Sequence, residues 1–297
     1  MLCRAEFSTV AAEFSSAGPA FSSAGPAAPA RKAAVLGSPI AHSRSPQLHL
    51  AAYRALGLVE WTYDRIECTA EQLPGLVAGL GPEWIGLSVT MPGKIAALEF
   101  ADVRTERAMI VGSANTLVRT ADGWRADCTD VDGVSGALLD AGLGDVTGGR
   151  AVVVGAGGTA RPALVALAGL GVESVTVVAR DRARADGAID CAAAVGLAVE
   201  WLALDDARLA EVSARSEVLV GTVPAAAAAP FADALGRAPF VLDAIYDPWP
   251  TPLAEAVAAR GGTVVGGLSM LLNQAFGQVE QFTGRPAPRA AMAAALH

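Results

Sequence analysis

Apolar and polar positions change period several times along this chain, and the changes cut it into short elements. Residues 33–36 are a run of small aliphatic side chains, which predicts a buried strand. A polar loop follows at 37–46. Leu48, Ala51, Ala52, Ala55 and Leu56 then recur at helical spacing and predict a helix over 47–57. Strands are predicted at 61–66, 85–89 and 113–119, with a helix over 70–80. Alternation of this kind belongs to an α/β unit.

A second block opens more sharply. Residues 151–154 read AVVV, then GAGGTAR at 155–161, then an apolar helical pattern to residue 170. Strands are predicted at 174–179, 198–204, 218–223 and 240–246, with a helix over 182–194. Short strands separated by helices predict a doubly wound parallel sheet of the Rossmann type. A strong helix over 267–282 and a short Ala-rich one close the pattern. The fold class is α/β, with an N-terminal α/β domain and a Rossmann-like doubly wound parallel-sheet domain.

Composition narrows the partners. Of 297 residues, 53% are hydrophobic but only 5% aromatic, so the cores are built from small aliphatic groups. A net charge of -8 argues against a nonspecific nucleic-acid partner, which needs basic patches. No apolar run reaches the length of a bilayer span. Cys3, Cys68, Cys128 and Cys191 form no CxxC pair, and His42, His49 and His297 form no HExxH. The default is therefore a reduced, metal-free cytoplasmic protein; a small-molecule partner and a monomeric or homodimeric state are separate expectations. Residues 1–30 are Ala, Ser, Gly and Pro-rich and repeat FSSAGPA at 14–20 and 21–27. Such low complexity is expected to be disordered and lacks the apolar core of a secretory signal. A transit peptide and a misassigned start codon are the other readings of this tail.

Four constellations carry chemistry. In the glycine turn, Gly155 allows a tight bend and Gly157 removes a side chain where a pyrophosphate approaches; the following helix start favours phosphate. The spacing departs from GxGxxG at Ala160. After the next strand come Arg180, Asp181, Arg182 and Arg184. Guanidinium groups suit the 2′-phosphate of NADP, whereas Asp181 suits a 2′-hydroxyl. Lastly, only two of the 22 basic side chains are lysines, Lys32 and Lys94. Arg holds its proton near neutral pH, whereas a Lys ammonium is tunable into an acid or base. Lys94 closes SVTMPGK at 88–94, after a strand and a Pro-Gly turn. It reads either as a proton donor or as a surface lysine. Ser43 and Ser45, two positions apart in the first polar loop, face the same way if that loop is extended. Asp130, before a helical pattern from about 132, reads as a helix cap or as a partner of Lys94.

Seven motifs in order give these readings a family. They are PIAHSRSPQLH at 39–49, SVTMPGK at 88–94, ANT at 114–116, CTDVDG at 128–133, GAGGTAR at 155–161, DAIYDPWPTPL at 243–253 and GLSMLLNQ at 267–274. With them the chain, from about residue 31 onward, resembles shikimate dehydrogenase. The resemblance implies reduction of the 3-dehydroshikimate ketone to shikimate with NADPH. It implies a catalytic pair, Lys94 and Asp130, and carboxylate binding by Ser43 and Ser45. Thr90, Asn115, Tyr246 and Gln274 are implied to meet the ring or its hydroxyls. Gly155, Ala156, Gly157, Gly158, Thr159, Arg180, Arg182, Thr222 and Gly267 are implied to meet the cofactor. Residues 31–129, completed by 267–297, are the expected substrate domain, and 130–266 the expected NADP domain. Five positions depart from the family pattern. Ser88 and Cys128 stand where it has Asn, Ala179 and Asp181 replace the Asn and Thr of its NRT motif, and Leu50 stands where Asn is frequent. Quinate or dual quinate/shikimate dehydrogenase using NAD, and a dinucleotide-binding paralogue without catalysis, are the alternatives.

Overall fold

The structure is a computed structural model that describes residues 30–296. The FSSAGPA repeats, Cys3 and His297 lie outside the described residues. Among the described residues, twelve strands form two six-stranded sheets. The first contains β1 (Lys32–Gly37), β2 (Thr62–Glu67), β3 (Trp84–Val89), β4 (Val103–Arg104), β5 (Thr116–Thr120) and β6 (Gly123–Asp127), in the order β2-β1-β3-β5-β6-β4. β1, β2 and β3 are parallel, and β5 runs antiparallel to both β3 and β6. The second contains β7 (Arg150–Val154), β8 (Ser174–Ala179), β9 (Ala198–Ala203), β10 (Val218–Gly221), β11 (Phe240–Asp243) and β12 (Thr263–Gly266). Every pairing there is parallel, in the order β12-β11-β10-β7-β8-β9. The order reverses between β7 and β10, the switch point at which a doubly wound sheet opens a crevice.

The Val-rich runs become strands because both faces of this second sheet are covered. Along β7, Ala151 and Val153 join the core on one face, and Val152 and Val154 join the core on the other. Each of the three buried valines contributes about 1.5–3 kcal/mol before entropy is counted. The small residues Ala160 and Ala163 let the helix Ala160–Gly169 lie close on that sheet.

Two long helices join the sheets. The chain leaves β6 into the helix Asp130–Asp140, two residues before the predicted start, and returns from β12 into the helix Gly267–Thr283. The two helices pack side by side. Their approach needs glycine: a Cβ at Gly133 would meet the Met270 carbonyl at 2.9 Å, and one at Gly136 would meet Asn273 Oδ1 at 2.3 Å.

Several predicted boundaries shift. Residues 70–80 hold only the short helix Leu73–Ala78. The strands predicted to reach 223 and 246 stop at Gly221 and Asp243, because the chain turns out of the sheet there to line the crevice. Elements without a clear apolar period went unread: β4, β6, β12 and the helices Lys94–Phe100, Glu106–Val111, Leu209–Ala214 and Pro252–Ala259. None of the described helices is long and apolar enough to cross a membrane.

Candidate active site

β3 ends at Val89, the chain turns through Thr90 to Gly93, and Lys94 begins the next helix. β6 ends at Asp127, and Asp130 begins the helix that leads to the other sheet. The two helix starts face each other, and Lys94 Nζ donates to Asp130 Oδ2 at 2.5 Å. Asp130 Oδ1 accepts from Asn115 Nδ2 at 3.0 Å. The carboxylate therefore serves Lys94 and Asn115; the cap position is Thr129, without a side-chain cap bond. The helix-cap reading of Asp130 gives way to the paired one. Asp130 is 1% exposed and Lys94 is 12% exposed, enough for the ammonium to reach the crevice. Burial pushes the Lys94 pKa down, but the charge and hydrogen bond of Asp130 outweigh it and the net shift is upward.

The pair opens on a cavity of about 250 Å³ between the two sheets. Ser43, Ser45, Thr90, Tyr246 and Gln274 line it together with Lys94 and Asp130. The serines reach it differently from the extended arrangement expected: Ser43 lies in the turn, and Ser45 is already the first residue of the helix Ser45–Ala55. The Arg65 guanidinium pins the turn by donating to the Ser43 carbonyl from Nε at 2.8 Å and Nη2 at 2.5 Å. Glu67 holds its start, accepting from Ser38 Oγ at 2.6 Å and Ile40 N at 3.1 Å. Tyr246 follows β11 in a loop anchored by Asp243, whose carboxylate accepts from Thr251 Oγ1 at 2.6 Å. Burial of Tyr246 pushes its phenol upward, helped by the charge of Asp247.

Asn115 is placed differently from the other expected substrate contacts. It is 1% exposed and sits behind the cavity wall. Its Nδ2 is shared among Thr129 Oγ1 at 3.0 Å, Asp130 Oδ1 at 3.0 Å and Gln274 Oε1 at 2.7 Å. In this arrangement it orients two groups that do line the cavity.

A groove of about 300 Å³ runs along the carboxyl ends of β7, β8 and β10. Gly155, Ala156 and Gly157 form its floor. Gly155 has φ 111°, and a Cβ there would lie 2.3 Å from Thr222 Oγ1, so only glycine fits. Thr222 holds that corner by donating to the Val154 carbonyl at 2.8 Å. A Cβ at Gly157 would meet nothing within 4 Å, which leaves its backbone open to a phosphate. A Cβ at Gly158 would lie 3.9 Å from Lys94 Cδ, so the glycine turn reaches the Lys94 side chain. Thr159 and Gly267 line the Lys94 cavity itself, which makes groove and cavity neighbours.

Of the arginine cluster, Arg180 and Arg184 line the groove. Arg182 does not; it is ion-paired with Asp186 one helical turn on. Asp181 Oδ1 accepts from Ala183 N at 2.9 Å and caps the helix Arg182–Ala194. Its carboxylate thus has a structural task, although Asp181 lines the groove together with the two arginines. The open Gly157 backbone and these two guanidinium groups fit a phosphorylated dinucleotide.

Polar residues at the cavity that the sequence did not mark as site residues are His42, Ser88 and Gln278, with Tyr63 behind them. Gln278 lines it one helical turn beyond Gln274, a spacing that was there to be read. Tyr63 lies behind it on β2 and donates to Ser88 Oγ at 2.6 Å. No local pattern marks Tyr63. Cys128 is buried beside the pair as a small apolar filler, and burial pushes its thiol far upward.

The chain matches two family models: the shikimate dehydrogenase substrate binding domain over residues 35–117, and the shikimate 5′-dehydrogenase C-terminal domain over residues 267–297. It is 39% identical over 267 residues to shikimate dehydrogenase (NADP(+)) of Methylobacterium radiotolerans, covering 87% of this chain and 93% of that one. The structure of shikimate dehydrogenase from Mycobacterium tuberculosis is similar at 62% identity and a TM-score of 0.85, covering 90% of this chain and 98% of the other. That of shikimate 5-dehydrogenase from Mycobacterium fortuitum is similar at 65% identity and a TM-score of 0.83, with the same coverage.

Proposed function

The chain belongs to the shikimate dehydrogenase family, and on that premise we propose that it catalyses the reversible NADPH-dependent reduction of 3-dehydroshikimate to shikimate. One observation carries the assignment of the chemistry: the Lys94–Asp130 pair faces a cavity lined by Ser43 and Ser45, and the glycine turn abuts the Lys94 stem. The bound dinucleotide supplies the hydride. The chain's own residues do the rest.

Ser43 and Ser45 take the substrate carboxylate at one end of the cavity. Lys94 Nζ donates to the ketone oxygen at the other and gives up its proton as negative charge develops there. An alkoxide is a much stronger base than an amine, so even an ammonium stabilised by Asp130 transfers its proton downhill. Asp130 keeps Lys94 charged and aimed before the reaction, and Asn115 keeps Asp130 aimed. Thr90, Tyr246 and Gln274 would surround the ring, and Gly267, which lines the same cavity, would lie on the nicotinamide side. The substrate unit is residues 31–129 with the C-terminal segment from 267, and the cofactor unit is 130–266. A cytoplasmic location and a monomeric or homodimeric state complete the proposal.

The test is nicotinamide absorbance with shikimate or quinate and each of NADP⁺ and NAD⁺. Turnover is expected to be fastest with shikimate and NADP⁺. A preference for quinate with NAD⁺ would replace the assignment with quinate dehydrogenase, and no turnover of either acid would remove it.

A further inference from the structure

Arg107 lies on the helix Glu106–Val111 and lines neither the Lys94 cavity nor the cofactor groove. Its guanidinium nevertheless grips the chain on both flanks of Asp130. Nε and Nη2 donate to Asp127 Oδ1 and Oδ2, each at 2.6 Å, and Nη1 donates to Asp132 Oδ2 at 2.8 Å. Asp127 is the last residue of β6, before Asp130; Asp132 follows Asp130 in the first turn of the helix Asp130–Asp140. A planar fork fixes two directions at once, which a point charge does not. The helix start has use for such a grip, because its cap residue Thr129 makes no side-chain cap bond.

Asp127 is the anchored end of the clamp. Besides Arg107, its carboxylate accepts from Thr105 Oγ1 at 2.8 Å, Cys128 N at 2.8 Å and Gln281 Nε2 at 2.7 Å. Gln281 belongs to the helix Gly267–Thr283, and its Oε1 accepts from Arg125 Nη2 at 3.0 Å. The end of β6 and both helices that join the sheets are thus tied at one ion pair. Burial pushes the Asp127 carboxyl up, but the hydrogen bonds and charge of Arg107 outweigh it and bring its pKa down from 3.8 to about 2. The pair is charged at any working pH. Lys94 and Asn115 hold the Asp130 carboxylate itself, whereas Arg107 holds the backbone that carries it.

We propose that Arg107 is a positioning residue for the catalytic pair: by clamping Asp127 and Asp132 it sets the helix start that aims Asp130 at Lys94. The inference deepens the function proposed above and rests on it. It has a signature that a purely structural clamp lacks. Burial lowers the Lys94 pKa, and the nearby Asp130 more than restores it. In shikimate oxidation the amine must be neutral to take up a proton, so kcat rises with pH through the Lys94 pKa. A misaimed Asp130 leaves the burial in place and weakens the attraction, so that rise moves to lower pH. Loss of the Arg107 charge by itself acts the other way, since removing a nearby cation raises the pKa of an ammonium. Asp130 and Cys128 are the titratable groups that act on Lys94, and the Arg107 ion pairs are with Asp127 and Asp132 instead.

The experiment is steady-state oxidation of shikimate by the wild type, Arg107→Ala and Arg107→Lys from neutral to alkaline pH, with urea-unfolding midpoints measured alongside. For Arg107→Ala, kcat is expected to fall about 10–100-fold, the size of a small misplacement of a catalytic group. KM for shikimate and for NADP⁺ is expected to stay within about threefold, because neither binding surface is touched. The rise of kcat with pH is expected to move down by about one pH unit. Arg107→Lys keeps a charge beside Asp127 and gives up the fork, so it should show the same changes at smaller size; if Arg107→Ala does not fold, this variant decides. A lower urea midpoint with kcat and its pH profile unchanged would overturn the inference, as would a pH profile moved upward or a raised KM at unchanged kcat. A wild type that fails to turn over shikimate would sink the functional reading and this inference together; an active wild type with unaffected variants sinks this inference alone.

Discussion

Lys94 Nζ and Asp130 Oδ2 meet at 2.5 Å although 36 positions separate them, because two helices begin at these residues and face each other across the crevice. The carboxylate is nearly inaccessible, while the ammonium keeps an edge toward the cavity. Replacing Lys94 by Ala removes the proposed proton donor but leaves the serines proposed to hold the carboxylate. We expect kcat to fall by roughly 10²–10⁴, the usual contribution of a positioned acid or base, with shikimate still binding in a calorimetric titration. Lys94→Arg is expected to be nearly as slow, since a guanidinium does not release its proton. A Lys94→Ala enzyme with near-normal kcat would contradict the role.

Arg180 and Arg184 line the groove beside Asp181, while Arg182 is paired with Asp186, so we expect Arg180 to take part in cofactor choice. Arg180→Ala is expected to lower kcat/KM for NADP⁺ by about 10–100-fold, the size of a hydrogen bond to a charged group, and to leave NAD⁺ almost unaffected. An equal loss with both cofactors would show that Arg180 does not read the 2′-phosphate.

The glycine turn makes a sharper prediction at Gly155. Alanine there would have to adopt φ 111° and to place its Cβ 2.3 Å from Thr222 Oγ1. The backbone cost alone is about 1–3 kcal/mol. Gly155→Ala is expected to lower the thermal midpoint and weaken NADPH binding, measured by nicotinamide fluorescence. Adding Thr222→Ala relieves the contact but not the backbone, so the double variant should recover only in part. Full recovery would locate the whole effect in the side-chain contact.

Acid stability depends on His49. It is fully buried, its Nδ1 lies 3.0 Å from the Ser45 carbonyl and its Nε2 has no partner. Burial lowers its pKa from 6.5 to about 4, against the opposing pull of the Ser45 carbonyl. Between those values the unfolded chain takes up the proton and the folded chain does not. Stability from this group is therefore complete above pH 6.5 and falls as the pH drops, losing about 3 kcal/mol by pH 4. Urea unfolding midpoints of the wild type and His49→Asn should converge as the pH is lowered from 7 to about 4.5. Parallel pH profiles would assign the acid sensitivity to other groups.

Much of this was legible in the chain. Runs such as AVVV at 151–154 predict strands, and the glycine turn behind it predicts a tight bend into a helix. The scarcity of lysine singled out Lys94, and the order of seven motifs identified the family. These signals are local: a period or a turn residue constrains the backbone within a few positions. The polar partnerships are not local. Ser88 and Gln278 lie 190 positions apart and meet because β3 packs beneath the helix Gly267–Thr283. Tyr63 reaches Ser88 because β1 alone lies between their strands. Asn115 was expected at the ring and lies behind the wall, and Arg182 was expected at the cofactor and lies on Asp186. Side-chain chemistry states what each group can donate or accept, but only strand order and helix packing decide which group it finds.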